Sequence, residues 1–449
     1  MDRTPAFGRA CATFVIATLL LVFPSEAAAQ SAPPEDRALT GTLERATVVR
    51  LAVARSPAVR AGGQRARAMR LAGEAAGSLP PPEAMVQVWQ VPLSRPYALN
   101  EQMLMLGVHQ TIPAPGALSA RDGAQEQLAH VEGLMADDQA REVARDASHA
   151  FAEYLGATER HRIHREHLVV AARVLDVAQG RHEAGGALTD VTQADAELAR
   201  MEADVVTDRT LVEGARARLN ARLSRDPSAP LGAPVDEGAG IPAWPTAVLV
   251  AKARAARPEA RAAAAQSEAR KLEARAADRE ATWPTFRVGA LYFAPTSAMP
   301  VHGYGFDAAI SLPWLWGAAR SQSAAADASV VASVTNVEAT RIPIDEEVVT
   351  AEANARSAAF RLDVLQQRAL PASRRAFDAA WSGYTSGRTD ALTILAARRG
   401  VVDVESDVVA ARVALGHAFA DLDAAVGVPV PRRPVTPADV GRAEGARHE

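Results

Sequence analysis

The sequence predicts a mainly α-helical protein with a β-barrel portion, built from two tandem copies of one unit. Three observations predict it. The chain echoes itself at an offset of about 200 residues, each half carries a long helical run, and each half carries two short runs of period two. Internal symmetry at this scale bounds the architecture before any single residue does.

The echo is local and ordered. Ser56-Pro57-Ala58-Val59-Arg60-Ala61 returns as Arg257-Pro258-Glu259-Ala260-Arg261-Ala262, and Leu79-Pro80 returns as Trp283-Pro284. Ile112-Pro113 followed by Gly116 returns as Leu312-Pro313 followed by Gly317. Leu175-Asp176, Gly185 and Asp190 return as Phe377-Asp378, Gly387 and Asp390. The repeats are placed at 42–227 and 246–427, joined by a linker at 228–245 and followed by a tail at 428–449.

The N-terminus resembles a secretory signal over residues 1–29, with an extension at 30–41 before the first repeat. Arg3 and Arg9 give a basic start, Thr13 to Phe23 a short apolar stretch, and Ala27-Ala28-Ala29 a small-residue cleavage site. Cys11 is the only cysteine and lies ahead of that apolar stretch, so the mature chain is expected to be cysteine-free, which excludes disulfides and thiolate chemistry. A net charge of −4 argues against a nucleic-acid partner.

Each repeat opens with an Ala/Arg-rich helical segment, 42–77 and 246–281. In the first repeat no proline occurs between Pro115 and Pro227. Proline inside a helix costs ~3 kcal/mol, so its absence permits one uninterrupted helix. A helix from Ser119 to Glu183 would run roughly 98 Å at 1.5 Å per residue, and needs a partner along that length. Ala147, Tyr154, His161, Leu168, Leu175 and His182 fall at heptad spacing, with Ala150, Ala171 and Ala178 between them, which is a coiled-coil seam. Gly185-Gly186 ends this arm, and a return arm completes a helical hairpin over 118–224. The second hairpin spans 317–427 and turns at Ser386-Gly387-Arg388. Pro343 and Pro371 predict a break or kink in its ascending arm. Thr189 and Asp390 are candidate N-caps of the two returning helices.

The strand pairs are placed at 83–92 with 102–112, and at 285–293 with 303–312. Gln102, Leu104, Leu106, Val108, Gln110 and Ile112 alternate with Met103, Met105, Gly107 and His109. Tyr304, Phe306, Ala308 and Ile310 alternate with Gly305, Asp307, Ala309 and Ser311, and Phe286, Val288, Ala290 and Tyr292 with Arg287 and Gly289. One apolar face with aromatics near its ends, opposite a small or polar face, is the membrane-barrel pattern. On its own the alternation also fits a soluble hairpin packed on one face. Four strands cannot close a membrane barrel, and an open sheet edge is not viable in lipid. A homotrimer would supply twelve.

The tip and junction motifs then resemble the TolC-like outer-membrane efflux proteins, the outer membrane factors of tripartite efflux systems. Gly185-Gly186-Ala187-Leu188-Thr189-Asp190-Val191 looks like the family's first tip motif. Tyr384-Thr385-Ser386-Gly387-Arg388-Thr389-Asp390 looks like the second, with its arginine one residue earlier than in the best-known member. Pro113-Ala114-Pro115-Gly116 resembles the strand-to-helix junction. The resemblance implies three protomers forming a twelve-stranded barrel in outer-membrane lipid, continuous with an α-helical periplasmic tunnel. It implies a passive exit duct that partners a periplasmic adaptor and an inner-membrane pump, RND-type or similar. It assigns the periplasmic gate to Asp190, Tyr384 and Arg388, and adaptor contact to Gly185, Gly186 and Gly387.

Met103, Met105 and His109 share one strand face, which Met85 and Glu83 on the preceding strand extend. Thioether and imidazole suit soft or borderline metals, and such segments resemble heavy-metal efflux members of the family. These four ligand-type residues are candidate lumenal contacts for a metal cargo; methionine also simply fills space on a wall. His161, His164 and His167 lie at helical neighbour spacing but lack a frame of further ligands, so no resident metal and no cofactor is expected. No nucleotide loop, dinucleotide fingerprint, zinc-protease motif or nucleophile elbow occurs, so the chain is not expected to be an enzyme. Drug efflux, protein secretion and a non-channel periplasmic scaffold remain the alternatives.

Overall fold

The computed structural model describes residues 38–89, 102–295 and 300–436, together with Asp36, Val91, Ser94, Pro96, Tyr97, Ser297 and Asp439. The expected signal segment and Cys11 lie outside the described residues, as does most of the C-terminal tail.

The first half runs α1 (Arg45–Arg55), α2 (Pro57–Gly77), β1 (Glu83–Trp89), β2 (Met103–Ile112), α3 (Ala117–Glu183) and α4 (Leu188–Arg222). After the two-residue strand β3 (Ile241–Pro242), the second half runs α5 (Thr246–Ala256), α6 (Pro258–Thr282), β4 (Thr285–Phe293) and β5 (Gly303–Ser311). It continues with α7 (Ala318–Val364), a π-helical turn (Leu365–Ala369), α8 (Leu370–Thr385) and α9 (Ala391–Val426), and closes with β6 (Arg432–Arg433), which pairs with β3.

Local chemistry accounts for the boundaries. Pro57 and Pro258 each occupy the first turn of a helix, where the missing N–H costs nothing. Ser56 caps α2 by accepting from Val59 N. The strand-to-helix corners turn at Gly116 and Gly317, both with positive φ (82° and 75°). α3 is one helix of 67 residues, as its lack of proline allows. In the second half the expected break at Pro343 does not occur. α7 passes through that proline, where the burial of Ile344 and Val348 directly after it offsets the ~3 kcal/mol that a proline costs in a helix interior. The irregularity sits instead in the π-helical turn just before Pro371, which falls in the first turn of α8.

The seam along α3 is buried at Ala147, Ala150, Tyr154, Ala171 and Ala178, but His161 and Leu168 between them are only half-buried. It differs from expectation at its far end, where Val174 is buried instead of Leu175 and His182 is exposed. α3 packs against α1, α2, α4, α6 and α9. Its crossing with α9 is close: a Cβ on Gly156 would stand 2.3 Å from Val413 Cγ2, and one on Gly416 would stand 2.9 Å from Ala152 Cβ.

Three hydrophobic clusters carry most of the interior. One joins α5, α7 and α9 through Leu249, Val348, Leu362, Phe419 and Leu422. A second joins α1, α3 and α4 through Val48, Leu51, Phe151, Tyr154 and Leu219. The third ties the two hairpin tips together through Val174, Ala178, Ala194, Tyr384 and Ile394.

The four longer strands form one antiparallel sheet in the order β1-β2-β4-β5. Within the described residues β1 ends at Trp89, Gln90 and Pro92 of the expected strand lying outside them, and β5 ends at Ser311. Among the described residues no helix is long and apolar enough to cross a membrane.

Candidate functional site

Two regions gather the residues singled out by sequence: the paired hairpin tips and one face of the sheet.

Both tips use the same turn. Gly185 and Gly387 adopt φ of 95° and 76°, a conformation that glycine alone takes without strain. Gly186 N donates to Arg181 O and Gly185 N to His182 O, at 2.8 and 2.9 Å. In the second tip Arg388 N donates to Gly383 O and Gly387 N to Tyr384 O, at 2.8 and 3.0 Å. These are matching Schellman ends. Arg388 therefore stands at the turn position that Gly186 holds in the first tip. Asp390 caps α9, its Oδ1 accepting from Thr393 N at 3.0 Å. Thr189 is not a cap: the N-cap of α4 is Ala187, and Thr189 lies inside the first helical turn with Asp190.

Tyr384 is fully buried, among residues of both halves. Arg181, in the last turn of α3, places its guanidinium 4.5 Å from the centre of that ring. The same guanidinium donates to the carbonyls of Tyr384 and Thr389 at 3.2 and 3.3 Å. Among the described residues the Tyr384 hydroxyl has no hydrogen-bond partner. Burial, then the negative charge of Asp190, pushes its pKa up. Asp190 thus lies within electrostatic range of Tyr384. Arg388 is not with them: it is exposed, and its Nε donates to Ser386 Oγ at 3.0 Å. The cation on the tyrosine is Arg181. Sequence reasoning missed it because a basic residue in the last turn of a helix already has a local role, complementing the helix dipole.

A second unforeseen group lies about two turns from the tips. Arg398 on α9 is fully buried and pairs with Glu197 on α4, and the adjoining Arg399 donates its Nε to the same carboxylate at 3.0 Å. Burial lowers the pKa of Arg398, and among the described residues Arg398 Nε and Nη1 have no hydrogen-bond partner. Burial would raise the pKa of Glu197, but Arg399 and Arg398 outweigh it and hold the carboxyl below its ordinary value.

The α3 histidines diverge instead of clustering. His164 Nδ1 lies 2.6 Å from Asp208 on α4, and His167 Nε2 lies 2.8 Å from Glu405 on α9.

On the sheet, Val86, Val88, Leu106, Val108, Val288, Tyr304, Phe306 and Ile310 form one exposed apolar face, with Phe306 89% exposed and Val86 66%. Trp283, Trp314 and Trp316 stand at the helical end of the sheet, and Tyr292 and Tyr304 at the other. The opposite face carries Met85, Met103, Met105 and His109. Across Gly289 on that face, His109 Nε2 lies 2.9 Å from Asp307 Oδ1. A Cβ on Gly289 would stand 2.3 Å from both Asp307 Oδ1 and His109 Cδ2, so the glycine makes this contact possible. Gly107 leaves a second gap: Met85 Cε and His109 Cε1 each lie 3.3 Å from where its Cβ would be.

Residues 249–428 match the family described as outer membrane efflux protein. No curated protein matches the sequence. Among solved structures, the outer-membrane channel OprN is similar with a TM-score of 0.69 at 21% identity, over 85% of this chain and 89% of that one. CusC, solved in a study of folding and transmembrane channel formation, gives 0.73 at 16% identity, over 89% and 95%. The open state of the MtrE outer-membrane channel of Neisseria gonorrhoeae gives 0.68 at 20% identity, over 87% and 91%. The second half of the chain is thus similar to the outer membrane efflux protein family, and the chain carries the fold of these outer-membrane channels along most of its length.

Proposed function

We propose that the chain is one of three identical protomers of a passive exit duct, working with an inner-membrane pump and a periplasmic adaptor. The observation that carries this reading is the sheet. It has an apolar, exposed outer face, a polar and methionine-bearing inner face, and two free edges, β1 and β5. Free edges are not viable in lipid, and four strands are too few to close alone. The aromatic residues at both ends of the sheet fit the two interfacial girdles of a membrane barrel. In the helical part, Val331 and Ile342 of α7 are largely exposed, and among the described residues α7 packs mainly against second-half helices, whereas α3 reaches helices of both halves. A neighbouring copy would cover that face. In this reading the two repeats are 42–227 and 246–427, each supplying one strand pair and one hairpin.

The tips are the proposed gate. Asp190 and Tyr384 act with Arg181 to hold the two hairpins of a protomer together, while Gly185, Gly186, Gly387 and the exposed Arg388 form the surface offered to the adaptor. For cargo, the convergence of Met85 and His109 over Gly107 supports heavy-metal cations, which thioether and imidazole would meet with weak, exchangeable contacts.

Membrane fractionation with crosslinking tests the assembly: a crosslinked trimer in the outer-membrane fraction is expected, and a water-soluble monomer would remove the duct reading. For cargo, a deletion strain should gain sensitivity to soft metal ions. Sensitivity to organic drugs alone would move the cargo to that class.

A further inference from the structure

We infer the register in which β5 of one copy pairs with β1 of the next: Asp307 opposite Gln87, Ala309 opposite Met85, and Phe306 opposite Val88. The inference rests on the trimeric reading above and adds to it a specific set of residue pairs.

The argument uses the internal repeat as a ruler. Carrying Pro113 onto Pro313 takes Gly107 onto Asp307 and His109 onto Ala309. Carrying Pro80 onto Pro284 takes Met85 onto Gly289 and Gln87 onto Leu291. These two mappings come from separate sequence landmarks, and the sheet checks them jointly. Met85 pairs with Gly107 in the first hairpin, and their images, Gly289 and Asp307, are paired in the second. The mappings also keep faces apart, since residues of the polar face fall onto the polar face. A one-residue slip would turn every side chain over.

The seam between the two hairpins is β2 against β4, in which Gly107 pairs with Leu291, His109 with Gly289 and Leu106 with Tyr292. In a closed ring, the seam between copies is the image of that one. It sets Asp307 against Gln87 of the next copy, Ala309 against its Met85, and Phe306 against its Val88.

The side chains suit these pairs. Phe306 and Val88 are both exposed in the single chain and lie on the apolar face, as do Ile310 and Ala84, which the same register brings together. On the polar face, Gln87 uses its amide oxygen to accept from Trp89 Nε1 at 3.0 Å, which leaves its NH2 group to donate. Asp307 has Oδ1 at His109, which leaves Oδ2 to accept. A carboxylate opposite an amide donor is a favourable cross-strand pair.

Disulfide trapping tests the register, and Cys11 is the only native cysteine to remove. In a Cys11→Ser background, Ala309→Cys is combined with Met85→Cys, with Trp89→Cys or with Pro81→Cys. The last two report slips of four residues, which preserve the faces and lie beyond the diagonal neighbours of the expected pair. Directly opposed residues place their Cα atoms within disulfide reach, and slipped ones do not. The expected result is a covalent trimer on non-reducing gels from Ala309→Cys with Met85→Cys, forming roughly tenfold faster than from the other two pairs. The neighbouring pair Ala308→Cys with Val86→Cys provides a second readout should the first fail to fold. Trimers that crosslink through residue 89 or 81 instead would overturn the register and leave the duct standing. A protein that stays monomeric would overturn both.

Discussion

Arg181 is the residue whose importance the chain's own spacing conceals. Its ring contact with Tyr384 and its two carbonyl contacts lie across the two hairpins, about 200 positions away in sequence. A cation on an aromatic face contributes about 0.5–2 kcal/mol, which is enough to shift a two-state gate several-fold to more than tenfold. Arg181→Ala is therefore expected to raise the closed-state conductance of the channel in bilayers several-fold, with Asp190→Asn and Tyr384→Phe moving it the same way. Arg388→Ala should leave it unchanged, since the Arg388 side chain is exposed and its Nε donates to Ser386 within the same turn. The buried pair of Glu197 and Arg398 was equally invisible in sequence, because neither residue stands in a local motif. Glu197→Ala strands a buried guanidinium and should cost about 3–5 kcal/mol, seen as a fall in melting temperature. Replacing both residues by leucine should recover much of that loss, because an apolar pair carries no desolvation penalty.

At the level of elements, the sequence was informative wherever physics is periodic. The period of two gave four strands, because one face of each must differ from the other. Heptads and the absence of proline gave α3 its full length. Legibility failed where packing overrides a local rule. Pro343 is a helix breaker by propensity, yet α7 continues through it. His182 has the right spacing for the seam but lies beyond the last turn that the neighbouring helices cover.

The helix contacts also predict a pH response. Burial, and then His149 at 4.4 Å, lowers the pKa of His417 below its ordinary 6.5. Charging it costs folded-state stability, so its contribution is present above pH 6.5 and lost as pH falls below that. Burial would raise Glu405, but His167 and Arg374 outweigh it, and the net pKa is lowered, as for Glu197. A depressed carboxylate contributes stability above its unfolded value of about 4.5 and loses it as pH falls further. Melting temperature should thus decline in two stages, below about pH 6.5 and again below about 4.5. His417→Gln should remove the first stage only, as followed by circular dichroism.

For the whole molecule, the two-fold repetition has a consistent physical meaning. Neither half closes a sheet, and the long helices of both halves meet at the tips and along the α3–α9 crossing. In the proposed trimer, the strand edges and the outer face of α7 are the surfaces that other copies cover. Glycine positions carry much of this assembly's precision. Gly289→Ala would drive a methyl group into His109 and Asp307, and should lower the yield of assembled protein more than the same change at Gly63, where nothing lies within 4 Å.

The central claim, that this chain forms a membrane channel from several copies, is tested most directly by adding the purified protein to planar lipid bilayers and recording current. The account predicts discrete conductance steps of uniform size that grow when Arg181, Asp190 or Tyr384 is replaced. A folded protein that leaves the bilayer silent, with or without those replacements, would contradict it.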